Sequence, residues 1–535
     1  MNSVIFSPLE EYSKKLRELH LERTNAFFEK LVERSEIDVE ENRRTVASYN
    51  ALTESLSALR KKLNLFRLLR VLMCITLILI PLVILKTTPK IKALREEIAN
   101  NDKKAEELLR EAERQMLPLN RLFTDKDALR LIDETVPLID FDEHFSVKKE
   151  TDMRLNYDFS DSESLDESTL SVLSGSYNEN PFLFENKLIH RLGSEIYHGY
   201  KTIHWTETYR DSNGKLKTRR RSETLHATVE KPKPFYSTQV VLSYCAQGAP
   251  DLSFTRDATH LDKMSEKEID RYVKRGEKRL KRKTDKAIKG GSSFTSMSNN
   301  DFEVLFDALD RSDEVQFRTL FTPLAQTNMV DLLLSKEGYG DDFHFIKRRR
   351  TNKIISKHSQ GRGLVLPAGA YISYSFDITR ESFTLKNAEF FRAVYFDLAP
   401  ILAIPIYQER PVHSLKPVPS LSQLYSLKEC EALANAITSR HVVHPDTKTE
   451  AILKSSFVGS ENGVDETEIS AYSYDIEKRT DFVTVFGGDG RFHSVPVPWD
   501  EYIPLEEHSR FFVTDADKIK TKNVFATQNG LCIFN

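Results

Sequence analysis

From Val71 to Leu85 the chain reads VLMCITLILIPLVIL, 15 residues without a charge. No other segment constrains the fold as strongly, because so long an apolar run must be buried in protein or in lipid. As a helix it extends about 22 Å, short of a hydrocarbon core of roughly 30 Å. Extension back through Leu65, Phe66, Leu68 and Leu69 lengthens it to about 31 Å. That stretch takes in Arg67 and Arg70, whose long side chains can snorkel to the interface. Pro81 is tolerated in a spanning helix. The expectation is one transmembrane helix over residues 65–86; the competing reading is a buried core helix.

Charge does not orient such a span. The 15 residues before Val71 hold five basic residues, Arg60, Lys61, Lys62, Arg67 and Arg70. The 15 after Leu85 hold four, Lys86, Lys90, Lys92 and Arg95, and the positive-inside rule needs a clearer asymmetry. The first 20 residues offer no apolar core of a signal peptide. Translocating the charged N-terminal segment would be difficult, which favours an outward C-terminal region. The cysteines argue the other way. Cys74 lies in the apolar run, leaving Cys245, Cys430 and Cys532, an odd set with no CxxC pair. A disulfide framework is not expected from them, which favours a single-pass protein of the cell membrane with its C-terminal region in the cytoplasm.

Heptad spacing flanks the apolar run. Tyr49, Leu52, Leu56, Leu59 and Leu63 precede it, and Ile91, Leu94, Ile98, Ala105, Leu108, Ala112 and Leu119 follow, with Asn101 and Gln115 at intervening seam positions. Such stripes point either to a coiled-coil stalk that makes a homo-oligomer or to helices packed on their own domain. Thr124 and Asp127 mark the start of a further short helix. Ser160 to Ser176 (SDSESLDESTLSVLSGS) is acidic and serine-rich, the composition of a linker.

Beyond Pro181 the pattern is mixed. Thr202 to Val229 reads as a long hairpin about Asn213-Gly214, ended by Pro232 and Pro234, with a separate strand at Ser237–Tyr244. Ser265 and Glu268 form a capping box for a helix to Ile288. Phe302, Leu305, Phe306 and Leu309 keep helical spacing, and Thr322-Pro323 opens another helix. Residues 363–378 alternate as a strand, and Ala393 to Tyr407 reads as a buried strand or loop. A helix near Leu427–Ile437 and a strand–turn–strand over Val483–Val497 close the chain. With 40% hydrophobic and 29% charged residues, this region can bury a core.

The expected fold class is α+β: an N-terminal membrane helix with flanking coiled-coil-like helices, then a mixed α+β region. The segments are a charged helical stretch (1–64), the transmembrane helix (65–86), a helical stalk (87–145), an acidic linker (146–180), a subdomain with the long hairpin and basic helix (181–292) and a second α+β subdomain (293–535).

Basic charge is the most distinctive chemistry. Lys263 to Lys289 holds twelve basic against five acidic residues, a net +7, in a chain whose total is −3. Lys274, Arg275, Lys278, Arg279, Lys281, Arg282 and Lys283 on this helix, with Arg348, Arg349 and Arg350 from the run IKRRRTNK, are candidate polyanion-binding residues. Anionic lipid is favoured over nucleic acid, because the chain is expected at a membrane and interleaved aromatics are absent. The alternative is a solvated helix face. Gly487-Gly488-Asp489-Gly490 is a hairpin turn rather than a phosphate loop, since a strand follows. His441 and His444 lack metal-ligand spacing, and Asp341, Asp342 and His344 read as a turn entering a strand. Neither a GxSxG elbow nor a P-loop occurs. No metal, cofactor or catalytic residue is assigned.

Several phrases, MLPLNRLF (116–123), TVEKPKPFY (228–236), FRTLFTPLAQ (317–326), GDDFHFIKRR (340–349), YFDLAPILAIPIYQ (395–408) and VPVPWDEYIP (495–504), resemble those of an uncharacterised family of single-pass membrane proteins of low-GC Gram-positive bacteria and mycoplasmas. The resemblance implies a membrane protein and no particular activity. The resulting expectation is a membrane-tethered interaction or scaffold protein. An enzyme with a composite site and a polyanion-binding module stand as alternatives.

Overall fold

The computed structural model describes residues 5–75, 80–160, 164–291, 294–411, 416–419, 421, 423–436, 442–461, 464–515, 525–526 and 531–533, without the side chains of 69–87, 514–515, 525–526 and 531–533. The chain forms two compact units, each assembled from separated stretches. A helical unit comprises Glu10–Pro137 and Val365–Phe396, and a β-rich unit comprises Met1–Leu9, Leu138–Leu364 and Asp397–Asn535. The mixed α+β class holds, with every sheet antiparallel. Neither the expected linker at 146–180 nor the division near 293 separates the units.

In the helical unit, helices Val39–Ile75 and Ile80–Asn120 run antiparallel. Asn42 Nδ2 donates to Ala112 O at 3.4 Å, Gln115 Nε2 to Thr45 Oγ1 at 3.1 Å, and Arg60 pairs with Asp102 at 2.8 Å. The Lys90 ammonium lies 5.9 Å from the Phe66 ring centroid, so the chain reverses between these residues. The heptad stripes therefore find their partner within the chain. Leu56 and Leu63 of one helix and Ile91, Ala105, Ala112 and Leu119 of the other are buried, and Asn42 and Thr45 satisfy the seam amide of Gln115. A period shows that a seam exists, not which helix fills it.

The expected span at 65–86 falls partly outside the described residues. Among those described, no helix is long and apolar enough to cross a membrane. The side-by-side flanks are also not those of a straight single span, which would carry Arg60 and Asp102 apart.

Below the pair, Phe28, Met116, Phe123, Leu131, Tyr371 and Phe383 form the core of this unit. His20 is buried beside Phe391, ring centroids 4.1 Å apart, and is held neutral by desolvation, which lowers its pKa to about 4. Thr124 N and Oγ1 both donate to the Asp127 carboxylate, as the cap signal predicts, and the helix Asp127–Thr135 follows. The strand expected at 363–378 is not formed. Instead a loop with a short turn at Ala368–Ala370 leads into a helix, Phe376–Leu402, which also takes in most of the buried stretch expected as strand or loop. Phe376, Phe383, Phe390 and Phe391 bury one side of that helix, an i, i+7 relation that a seven-residue alternation concealed.

The β-rich unit holds two sheets. The first orders its strands β1 (Ile139–Phe141), β2 (Glu167–Tyr177), β3 (Asn180–Arg210), β4 (Leu216–Cys245), β7 (Thr351–Ser356), β6 (Phe343–Arg348) and β5 (Ser253–Arg256). The second orders β11 (Phe525–Ala526), β12 (Leu531–Ile533), β10 (Phe492–Asp515), β9 (Val464–Phe486) and β8 (Ile452–Glu461). Two features depart from expectation. The serine-rich stretch read as a linker is largely β2, paired with β3 from Glu167 to Tyr177. Strand β4 runs straight through Pro232 and Pro234, because β7 pairs with it only from Leu242 to Cys245. Both prolines thus sit on an open edge, where a missing N–H costs no ladder bond.

Hairpins β3–β4 and β9–β10 are very long and stack near their ends. Ile203, Leu225, Ala227, Val495 and Val497 bury a small core between them. The close approach needs Gly199, where a Cβ would lie 2.2 Å from Pro496 O.

Candidate functional site

The basic helix, Glu266–Gly290, forms as its capping box predicts, with Ser265 and Glu268 exchanging both bonds. Its Gly276, Leu280 and Ala287 face the β-rich unit, and Gly276 is fitted to Val304, which a Cβ would meet at 2.2 Å. Arg275, Lys278, Arg279, Arg282, Lys283 and Lys286 line one groove of about 490 Å³. Lys274 and Lys281 are exposed beside it.

Not all of these cations face outward. Arg279 pairs with Asp307 at 2.7 Å. Lys283 donates to Leu309 O and lies 4.1 Å over the Phe294 ring, and burial lowers its pKa. Arg348 ends β6, and Arg349 and Arg350 form the turn into β7, where Arg349 takes φ 54°. Arg350 is held by Asp158 at 2.9 Å and Arg349 lies 4.0 Å from the same carboxylate. Among the described residues no hydrogen bond or ion pair links this turn to the basic helix, so the two basic runs do not form one joined site.

The acidic residues that invited a catalytic reading are used in structure. Asp341 is fully buried against Arg256, and Asp342 receives the His358 imidazole at 2.7 Å. His344 meets Asp257 at the surface at 2.9 Å. His444 is described and His441 lies outside the described residues. Among the described residues no cluster of three or more His, Cys, Asp or Glu has a metal-binding arrangement.

A site that sequence reading missed lies where the helix Leu427–Ala436 packs over β2 and β8. The cleft there encloses about 200 Å³. Lys187 Nζ lies 3.4 Å from Glu167 and 3.7 Å from Glu185, Lys428 also pairs with Glu185, and Lys454 lies 3.9 Å from Glu431. Glu185 is fully buried and its Oε2 has no hydrogen-bond partner. Burial raises the Glu431 pKa, and on the same helix raises that of Glu429 to about 7.

The cleft is suited to holding a polar group rather than to attack on one. Ser168 Oγ accepts from Asn435 Nδ2 and Leu453 N, and Ser455 Oγ donates to Leu427 O. Neither hydroxyl meets a general base. The signal in the sequence was Glu185 and Lys187, two charges on one face of the largely apolar stretch Phe182–Ile189.

A second groove of about 340 Å³ shares Leu165 with the cleft. Its wall is aromatic: His190 packs 5.3 Å from Tyr236 and 5.8 Å from Tyr474, and Asp166 takes its Nδ1 at 3.0 Å. Burial raises the pKa of both tyrosines. Together the two depressions offer a charged end and an aromatic end, the composition of a recognition groove. No family model, no curated protein and no solved structure matches the chain.

Proposed function

We propose that the chain is a membrane-tethered interaction protein, held at the bilayer by its turned-back helical pair rather than by a straight span. The observation that supports this most is the antiparallel pairing of the two long helices, seen at Asn42–Ala112 and Arg60–Asp102. It brings Arg60, Lys61, Lys62 and Arg67 to the same end as Lys90, Lys92 and Arg95, with Val71–Leu85 between them in the chain. Five basic residues against four is uninformative for a span with one positive side. It is what a pair needs when both arms meet one anionic face. Half of the apolar run, as helix, reaches about 11 Å, within one leaflet of a core roughly 30 Å thick.

The test is side-specific labelling of Lys61→Cys and Lys92→Cys in separate single-cysteine chains. A membrane-impermeant maleimide is applied to intact and then permeabilised cells. Both positions are expected to react under the same condition. Reaction under opposite conditions would restore a straight span, and recovery of the protein in the soluble fraction would remove the membrane reading altogether.

The cationic groove of the basic helix favours a second reading, a contact with phosphate-bearing polyanions. Charge reversal at Arg275, Arg282 and Lys286 is expected to weaken binding of soluble polyphosphate by about tenfold or more. Unchanged affinity would return the helix to a solvated face.

A further inference from the structure

The far ends of the two long hairpins do not coincide. The β9–β10 turn, Gly487 to Gly490, lies level with Ile203, Trp205 and Glu223: Gly488 N donates to Glu223 Oε2 at 2.6 Å, and a Cβ on Gly487 would lie 2.7 Å from Ile203. Hairpin β3–β4 continues beyond that level. Its last rungs, Thr206↔Arg220 to Arg210↔Leu216, are exposed at every residue. Five rungs at about 3.4 Å make an overhang of roughly 17 Å before the turn.

The overhang is strongly basic. Thr206 to Arg221 holds Arg210, Lys215, Lys217, Arg219, Arg220 and Arg221 against two acids, Glu207 and Asp211. Lys217 pairs with Asp211 at 3.0 Å and Arg221 with Glu207 at 2.9 Å. Leu216 is 69% exposed on the same ribbon.

Beside the overhang, the outer face of β9–β10 is aromatic. Alternation along the strands sends Val483, Val485, Val495 and Val497 inward. It sends Phe482, Phe486 and Phe492 outward, where they are 70%, 60% and 74% exposed. Phe486 and Phe492 are cross-strand partners with ring centroids 5.2 Å apart. A phenylalanine side chain has no hydrogen-bonding atom, so this patch gains nothing from water.

We infer that the end of this two-hairpin arm docks on the surface of an anionic phospholipid bilayer, the three phenylalanines entering the acyl boundary and the overhang meeting headgroup phosphates. A plane laid obliquely across the end of the arm touches both, because the overhang extends along the arm while the rings project sideways. Charge complementarity selects the occupant. Apolar area alone would fit many surfaces, but a wedge of bare rings beside a net basic ribbon joins the two signals that peripheral membrane contact requires. The inference does not rest on the helical pair.

The test uses the full chain with Phe486→Cys carrying an environment-sensitive fluorophore. Cys74 and Cys532 are replaced by serine, while the buried Cys245 and Cys430 stay unlabelled. With vesicles rich in phosphatidylglycerol, emission is expected to rise several-fold and shift to the blue, fading with added salt, whereas phosphatidylcholine vesicles leave it unchanged. Arg219→Glu with Arg220→Glu is expected to weaken the response about tenfold or more, since each replaces attraction to an anionic surface with repulsion.

The same response is expected when Leu82→Glu and Ile84→Glu disable the apolar run, which separates this contact from the helical tether. A silent dye on protein that still sediments with vesicles would overturn the inference and leave the tether standing. A concentration-dependent blue shift without vesicles would overturn it in favour of self-association.

Discussion

Asp341→Ala is expected to destabilise the β-rich unit by about 3–5 kcal/mol, the cost of leaving a buried charge uncompensated. Arg256 and Asp341 are both fully buried and paired. The second carboxylate oxygen accepts from Thr259 N at 3.0 Å, Thr259 Oγ1 at 2.5 Å and Leu261 N at 3.2 Å. Removing it strands three donors as well as the guanidinium, which keeps its bond to Phe343 O at 2.6 Å and the Phe343 and Phe306 rings 4.6 and 5.8 Å away. Burial already lowers the Arg256 pKa, with Asp341 the largest opposing influence. The measurement is chemical denaturation of Asp341→Ala, Arg256→Met and the pair together. The double variant is expected to be more stable than Asp341→Ala, because an apolar replacement leaves no lone charge. Equal stability of all three with the parent would show that the pair is solvated.

Lys347 gives the second large effect, and it depends on pH. It belongs to the basic run IKRRR, yet its side chain is wholly buried. Its Nζ donates to Gly248 O at 3.1 Å and Arg349 O at 2.5 Å, both uncharged. Desolvation, with Arg350 adding repulsion, lowers its pKa from 10.5 to about 7. Between those values the unfolded chain holds a proton that the folded chain has lost, so the Lys347 contribution to stability rises with pH. Below about pH 7 both states are charged and the contribution is at its least. The slope can approach about 1.4 kcal/mol per pH unit. From pH 7.5 to 9 the parent should therefore gain roughly 2 kcal/mol relative to Lys347→Met. Parallel stability curves for the two proteins would show that the amine keeps its proton in the fold.

These two residues also show what the sequence conveys and what it withholds. Local chemistry was readable where a bond closes within a few residues. The Ser265/Glu268 box, the Thr124/Asp127 cap, the Asn213-Gly214 turn and the Thr322-Pro323 helix start all form as their spacing predicts. Partner identity was not readable. Arg350 looked like one more free cation until Asp158, remote in sequence, met it. The heptads announced a seam without saying that the next helix fills it. The charged cleft draws Glu185, Lys187, Lys428 and Lys454 from three separate elements, and no linear pattern joins them. Prolines misled in β4 because a strand edge is a property of the sheet and not of the segment.

The interleaving of the two units sets a timetable for synthesis. The chain crosses between them four times, and the helical unit is complete only when Phe396 is made. Ribosomes add roughly 5–20 residues per second. At that pace the apolar run around Leu85 leaves the exit tunnel about 15–60 s before the last helix that closes its unit. For that interval the nascent chain carries its most aggregation-prone segment with no finished domain to shelter it. Early hand-over to a membrane or a holding chaperone would then decide the yield of native protein, whatever the stability of the finished fold.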